Sequence, residues 1–345
     1  MSNTDLKGLI AVAAQGKSLT RAQAEEAFNI MMSGEASPAQ IGGLLMALRV
    51  RGESIDEITG AVTVMRQKMT RIDAPADAID VCGTGGDGAH TLNISTAVAF
   101  VCAGCGVKVA KHGNRAASSK SGAADVLSAL GINIDADLAV VQKALWEVGT
   151  TFLWAQRHHS AMRHVGPARA ELGTRTIFNI MGPISNPAGV KRQLIGVFSD
   201  QWLEPIAKVL GNLGTEHAWV VHGSDGLDEI TVTGPTEVCE LKNGEIRRFR
   251  LSPADLGLPL GTAAEIRGGE PADNAVALRE VLDGKTGAYR NIVLMNAAGA
   301  LVVAGAAPDF AAGARLAAES IDFGHARAKL EQLIAVTNTV VEAVS

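Results

Sequence analysis

The chain has 345 residues, of which 47% are hydrophobic and 19% charged. That composition belongs to a globular protein and excludes a disordered one, and the length exceeds the roughly 250–300 residues at which a single core stops growing. A formal net charge of −5 excludes a broad basic surface for nucleic acid, although it leaves room for one cationic pocket.

The first seventy or so residues read as helices. Thr20 with Gln23, Ser37 with Gln40, and Ser54 with Glu57 each place a hydroxyl three residues before an amide or carboxylate, the pattern of a capping box. Pro38 falls at a first helical position, and Gly16, Gly34 and Gly52 fall where the preceding helices should stop. The pattern changes at Ala74-Pro75-Ala76, so residues 1–73 are expected to form a helical domain and 74–345 an α/β domain. In the second part, strands are predicted over Ala78–Val81, Val107–Ala110, Thr151–Trp154, Leu194–Phe198, Ala218–Val221 and Ile292–Met295. Helical stretches separate them, which implies a mostly parallel central sheet. Asn243-Gly244 reads as a hairpin turn inside 236–250, and helices are expected after Pro308.

Cys102-Ala-Gly-Cys105 has redox or zinc spacing, but it lies in an apolar run with no second pair, so packed helix residues are the better reading. Neither a secretory leader nor a run of about eighteen apolar residues is present, so a cytoplasmic setting without a membrane partner is expected.

Four loops carry the chemistry. Gly83-Thr84-Gly85-Gly86-Asp87-Gly88 matches G-x-G-x-x-G after a strand, but the next strand ends in Lys111-His112. A dinucleotide site wants an acid there to grip a ribose diol, whereas a cation suits phosphate. A diphosphate cradle fits better, because free N–H groups in a glycine loop and at a helix start bind anions. Asn93-Ile94-Ser95-Thr96 adds hydroxyls and an amide, even if one hydroxyl only caps the helix.

The second loop runs from Lys111 to Gly122, with Lys111 as a point charge and Arg115 as a planar fork for phosphate oxygens. The third holds Asp228-Glu229, adjacent carboxylates suited to a magnesium ion shared with substrate phosphates, with Asp225 as a turn residue. In the fourth, His158, His159 and His164 precede Arg169 without an interleaved acid or cysteine. They read as polar pocket lining, and Arg169 as a bidentate partner for a carboxylate.

In this order the loops resemble those of the anthranilate phosphoribosyltransferases. The likeness rests on Asp80 to Asp87, Asn93 to Thr96, Lys111 to Arg115, Asn179 to Pro187 and Asp228-Glu229, and it extends over essentially the whole chain. It implies a small all-helical domain completed by about 165–185 and a larger α/β domain of the nucleoside phosphorylase/phosphoribosyltransferase type, paired as a homodimer. It implies that phosphoribosyl pyrophosphate is held by Gly83, Gly86, Asp87, Thr91, Asn93, Ile94, Ser95 and Thr96, then by Lys111, His112, Gly113, Asn114, Arg115, Ala116, Ala117, Ser118, Ser119 and Ala123. Anthranilate would meet Gly83, His112, Asn114, His159 and Arg169, and Mg2+ would meet Ser95, Asp87, Asp228 and Glu229. No general base is implied. Gln156, Ser160 and Ala123 depart from residues common in such relatives.

Overall fold

The computed structural model describes residues 6–115 and 120–339. Four helices come first: α1 (Leu6–Ala14), α2 (Arg21–Met32), α3 (Pro38–Arg51) and α4 (Ile55–Lys68). All three capping boxes form, at Thr20, Ser37 and Ser54. Gly52 ends α3 at φ 93°, a left-handed setting that a side chain would strain. Glu57 does more than complete its box. Fully buried, it accepts from Ser54 N at 2.8 Å and Leu19 N at 2.8 Å and pairs with Arg51, so it ties three segments of the bundle together.

The remaining elements are β1 (Ile79–Gly83), α5 (Ile94–Gly104), β2 (Val109–Gly113), α6 (Ala123–Ala129), α7 (Leu138–Glu147), β3 (Thr150–Trp154) and the one-turn α8 (Ala155–His158). Then follow α9 (Gly166–Leu172), α10 (Phe178–Met181), β4 (Arg192–Gly196), α11 (Leu203–Asn212) and β5 (His217–Gly223). The chain continues through β6 (Thr236–Lys242), β7 (Glu245–Leu251), α12 (Pro271–Leu282), α13 (Ala288–Ala304), α14 (Phe310–Asp322) and α15 (His325–Thr337).

One seven-stranded sheet has the order β3-β2-β1-β4-β5-β6-β7. The first five strands are parallel, and β6 and β7 return antiparallel through the Asn243-Gly244 turn. On one face, α5 and α13 cover Val81, Leu194 and Trp219. On the other, Ile195, Val197 and Val220 share a core with Leu44, Leu48, Ile58 and Met65 of the helical bundle. Each such side chain contributes about 1.5–3 kcal/mol by leaving water. Residues 165–184 join this second core. Val165, Ile177, Phe178 and Met181 are buried in it, the Phe178 ring lies 5.6 Å from Phe28, and Arg66 donates to Ile184 O.

The strand expected at Ile292–Met295 is instead part of α13. This helix has its Ile292, Val293, Met295, Ala297 and Leu301 side chains fully buried between other elements, so it is apolar on nearly every face and lacks the 3.6-residue alternation that identifies a surface helix. Asn296 breaks the run, trading hydrogen bonds with Ile230 in both directions at 2.8 Å. Cys102 is buried within α5 and Cys105 follows its last turn, and both thiols are free.

Candidate active site

The strand order reverses at β1. The chain moves outward through β2 and β3, then starts again on the other side of β1 with β4. Such a switch point leaves a crevice at the carboxyl ends of the strands, where open α/β sheets bind ligands. The loops after β1, β2 and β5 all open at that edge.

The loop after β5 is drawn deep into the crevice. Asp228 Oδ2 accepts from Gly85 N at 2.7 Å, and Glu229 Oε1 accepts from Ser95 N at 3.1 Å. The approach depends on two glycines that face each other in register, Gly83 of β1 and Gly196 of β4. A Cβ on Gly83 would overlap the Asp228 carboxylate, and one on Gly196 would overlap the Asp228 backbone carbonyl. Burial holds both carboxyls well above the usual range; the neighbouring Asp87 raises Asp228 further, and Asp228 raises Glu229. Charges crowded in this way fit a cation.

Among the described residues, however, no three His, Cys, Asp or Glu side chains form a ready cage. A magnesium ion held here would take Asp228, Glu229, Asp87 or Ser95 together with phosphate oxygens, as that ion usually does.

The expected phosphate-binding residues separate into those at the mouth and those beneath it. Gly85, Gly86 and Gly88 take left-handed φ of 66°, 72° and 76° and leave the loop open to solvent. Lys111 lies beneath: only 4% exposed, its ammonium donates to Val81 O at 2.7 Å and Ser95 Oγ at 3.0 Å. Its charge thus bears on Ser95 and on the Glu229 carboxylate from beneath the open loop. Thr96 is buried too and lines a small internal cavity with Phe100, Leu127 and Phe152, which its expected contact with ligand did not foresee. Arg115 stays near the mouth, paired with Asp125 at 2.9 Å and 5.4 Å from the centre of the Trp154 ring. Ala116, Ala117, Ser118 and Ser119 lie outside the described residues.

The three histidines diverge, which corrects their joint reading as pocket lining. His158 Nδ1 meets Thr70 O at 2.7 Å and anchors the end of the helical bundle, while His164 Nε2 accepts from Arg163. Only His159 faces His112, its Nε2 lying 3.2 Å from His112 Nε2. The cause is local: α8 lasts one turn before a 3-10 segment, so adjacent side chains leave in different directions. Burial lowers both imidazoles, His159 to about 4, and a neighbouring imidazole disfavours charge on each of them further.

His159 gives a pH prediction. Its folded pKa lies below the unfolded one, so the unfolded chain binds the extra proton and stability should fall as pH drops from about 6.5 to about 4. Thermal melts across that window should fall less steeply for His159→Asn; an equal slope would show that this ring does not control the loss.

Several site residues escaped the sequence reading. Asn274, 1% exposed at the start of α12, donates to Asn93 Oδ1 at 2.9 Å, and Tyr289 of α13 donates to Asn93 O at 3.2 Å. Thr91 bridges to Arg267, and Leu92 N donates to Ile266 O, so a segment before α12 braces the turn into α5. Arg175 donates to Gly86 O. Contacts across 89 to 196 residues of chain leave no local pattern to read. Arg169 on α9 has no ion pair among the described residues; its guanidinium is partly buried 4.9 Å from the centre of the Phe178 ring, and burial lowers its pKa.

Two family models match the chain, a glycosyl transferase helical bundle domain over 7–69 and a glycosyl transferase a/b domain over 75–327. An anthranilate phosphoribosyltransferase of Rhodospirillum rubrum is 62% identical over 332 residues, 96% of each chain. One of Paramagnetospirillum magneticum is 59% identical over 333 residues, again 96% of each. Among solved structures, the anthranilate phosphoribosyltransferase of Thermus thermophilus superimposes with a TM-score of 0.91 at 40% identity, covering 96% of this chain and 99% of that one. The Saccharomyces cerevisiae enzyme in complex with phosphoribosyl pyrophosphate and Mg gives 0.90 at 28% identity, covering 98% and 99%. No helix among the described residues is long and apolar enough to cross a membrane.

Proposed function

Because the chain belongs to the glycosyl transferase family of the anthranilate phosphoribosyltransferases, we propose how its own residues perform that family's reaction. It transfers the phosphoribosyl group of phosphoribosyl pyrophosphate to the amine of anthranilate, giving N-(5-phosphoribosyl)anthranilate and pyrophosphate, a step of tryptophan biosynthesis.

The diphosphate sits over the glycine loop at Gly83, Gly86 and Asp87, with Thr91, Asn93, Ile94 and Ser95 at the start of α5. The observation that carries this is the placement of Asp228 and Glu229 against the N–H groups of Gly85 and Ser95, which brings two carboxylates to the floor of an anion cradle. Mg2+, when bound by Asp228, Glu229, Asp87 and Ser95 together with the diphosphate, neutralises charge gathering on the leaving pyrophosphate. Lys111 fixes Ser95 from below, and Arg115 supplies a cation at the second loop, joined by Gly113, Asn114 and Ala123. Thr96 and Lys111 thus support the cradle from beneath it.

Anthranilate lies beside His112, His159 and Asn114, with its carboxylate on Arg169. Its amine is neutral at pH 7 and the two facing imidazoles are held neutral as well, so no strong base is required. Placement of the amine against ribose C1 can supply much of the acceleration, roughly 7–11 kcal/mol for well-oriented reactants. The family test is direct: anthranilate fluorescence should decay only when phosphoribosyl pyrophosphate and magnesium are both present, and decay without either would refute the scheme.

Arg169→Ala should raise KM for anthranilate by roughly 10- to 100-fold, the scale of a lost charge-assisted pair, with KM for phosphoribosyl pyrophosphate nearly unchanged. An effect confined to the second substrate would remove Arg169 from the acceptor site. Pairing of two copies through the helices is the assembly we propose. Val50 near the end of α3, 82% exposed, gives that face an apolar side chain to cover, and sedimentation of Val50→Glu tests it.

A further inference from the structure

We propose that Arg175 is a positioning residue that sets the glycine loop for the diphosphate before any ligand arrives. This rests on the diphosphate reading above and adds a part to it.

The loop has little to hold it in shape. Three of its glycines take left-handed φ, and such residues lose more freedom on ordering than any others. Its base is tied where Thr84 N donates to Gly196 O and Gly85 N to Asp228 Oδ2. Its far end is tied where Gly268 N donates to His90 O. Between those ties the Asp87 side chain meets Asp228, and the one hydrogen bond that the loop's backbone receives from elsewhere in the chain, among the described residues, is from the Arg175 guanidinium to Gly86 O.

The Arg175 side chain is itself held. Its guanidinium lies 4.1 Å from the centre of the Phe198 ring, and Phe198 N donates to Thr84 Oγ1 at 3.1 Å. Ring, cation and loop therefore form one closed set of contacts across the ends of β1 and β4.

The consequence is directional. In a trans peptide the C=O and the following N–H point opposite ways, and the chain has no cis peptide bond among the described residues. Drawing Gly86 O toward Arg175 turns the Asp87 N–H away from it. That N–H, like those of Gly86 and Gly88, makes no hydrogen bond among the described residues. Successive free N–H groups of this kind form an anion-binding concavity. Arg175 also lies three residues beyond α9, the helix that carries Arg169, so a single short segment serves the acceptor and diphosphate sides.

The test compares wild type, Arg175→Ala and Arg175→Lys by amide hydrogen exchange over residues 84–90 without ligand, and by calorimetric titration with phosphoribosyl pyrophosphate and magnesium. Arg175→Ala should speed exchange in the loop and weaken binding by about tenfold, the loss of one charge-assisted hydrogen bond. KM for anthranilate should stay within about twofold and the melting temperature should hold. Arg175→Lys, which keeps charge and donor but loses the flat face, should recover part of both effects. Unchanged loop exchange in Arg175→Ala would overturn the proposal, as would full recovery of both readouts by lysine, which would make Arg175 a plain point charge. Wild type that fails to bind the diphosphate would sink the underlying reading instead, with the exchange experiment still judging the hold of Arg175 on the loop.

Discussion

A chain carrying Asp228→Asn and Glu229→Gln should lose about 10³ in kcat/KM at the magnesium level that saturates wild type, and part of the loss should return as magnesium is raised. The amides are chosen because they keep the shape. The amide oxygens of the two substituted side chains can still accept from Gly85 N and Ser95 N, so the loop after β5 should keep its seat. What disappears is charge, at a place where burial makes charge costly unless a cation arrives. Asp225→Asn is the control. Asp225 accepts from Leu227 N and from the Thr231 and Thr233 hydroxyls, so it organises the turn and faces no phosphate-binding residue. Its loss should lower the melting temperature and leave the magnesium requirement where it was. Equal magnesium curves for wild type and the double variant would take the pair out of the metal site.

What the sequence revealed followed the range of each interaction. Capping boxes act across three residues, and all three expected ones are present with both halves made. The parallel sheet and its terminal hairpin were likewise legible, because strand patterns and Asn243-Gly244 are local signals. Ile292–Met295 misled because a helix buried on all sides looks, over four residues, like a buried strand. Length would have separated them, since the apolar stretch runs on through Leu301-Val302-Val303.

At the site, residue types pointed to phosphate chemistry, but the direction each side chain takes was hidden. Lys111 and His112 are neighbours on one strand, so their side chains leave opposite faces of the sheet, one beneath Ser95 and the other toward His159. Arg175, Asn274 and Tyr289 were invisible for another reason. Each acts on a loop far away in sequence, and nothing in its own neighbourhood marks it.

Gly196 makes the same point most sharply, and it yields the other large effect. Gly196→Ala should cost about 10²–10³ in kcat/KM, chiefly through magnesium and phosphoribosyl pyrophosphate, although residue 196 would touch neither. The added methyl would occupy the space of the Asp228 backbone carbonyl, which is rigid main chain and not the end of a flexible side chain. The loop after β5 must therefore lift, and even a shift of about 1 Å in a group far from the chemistry can cost a hundredfold. Overpacking of this kind should also destabilise by about 1–3 kcal/mol. Gly211→Ala on α11 separates the position from the substitution, because its Cβ would make only an ordinary contact with Leu241. That variant should keep full activity and gain a little stability from better helix propensity. If Gly196→Ala bound magnesium and diphosphate as wild type does, Asp228 would not need its seat against β4, and the acidic pair would lose its claim to organise the site.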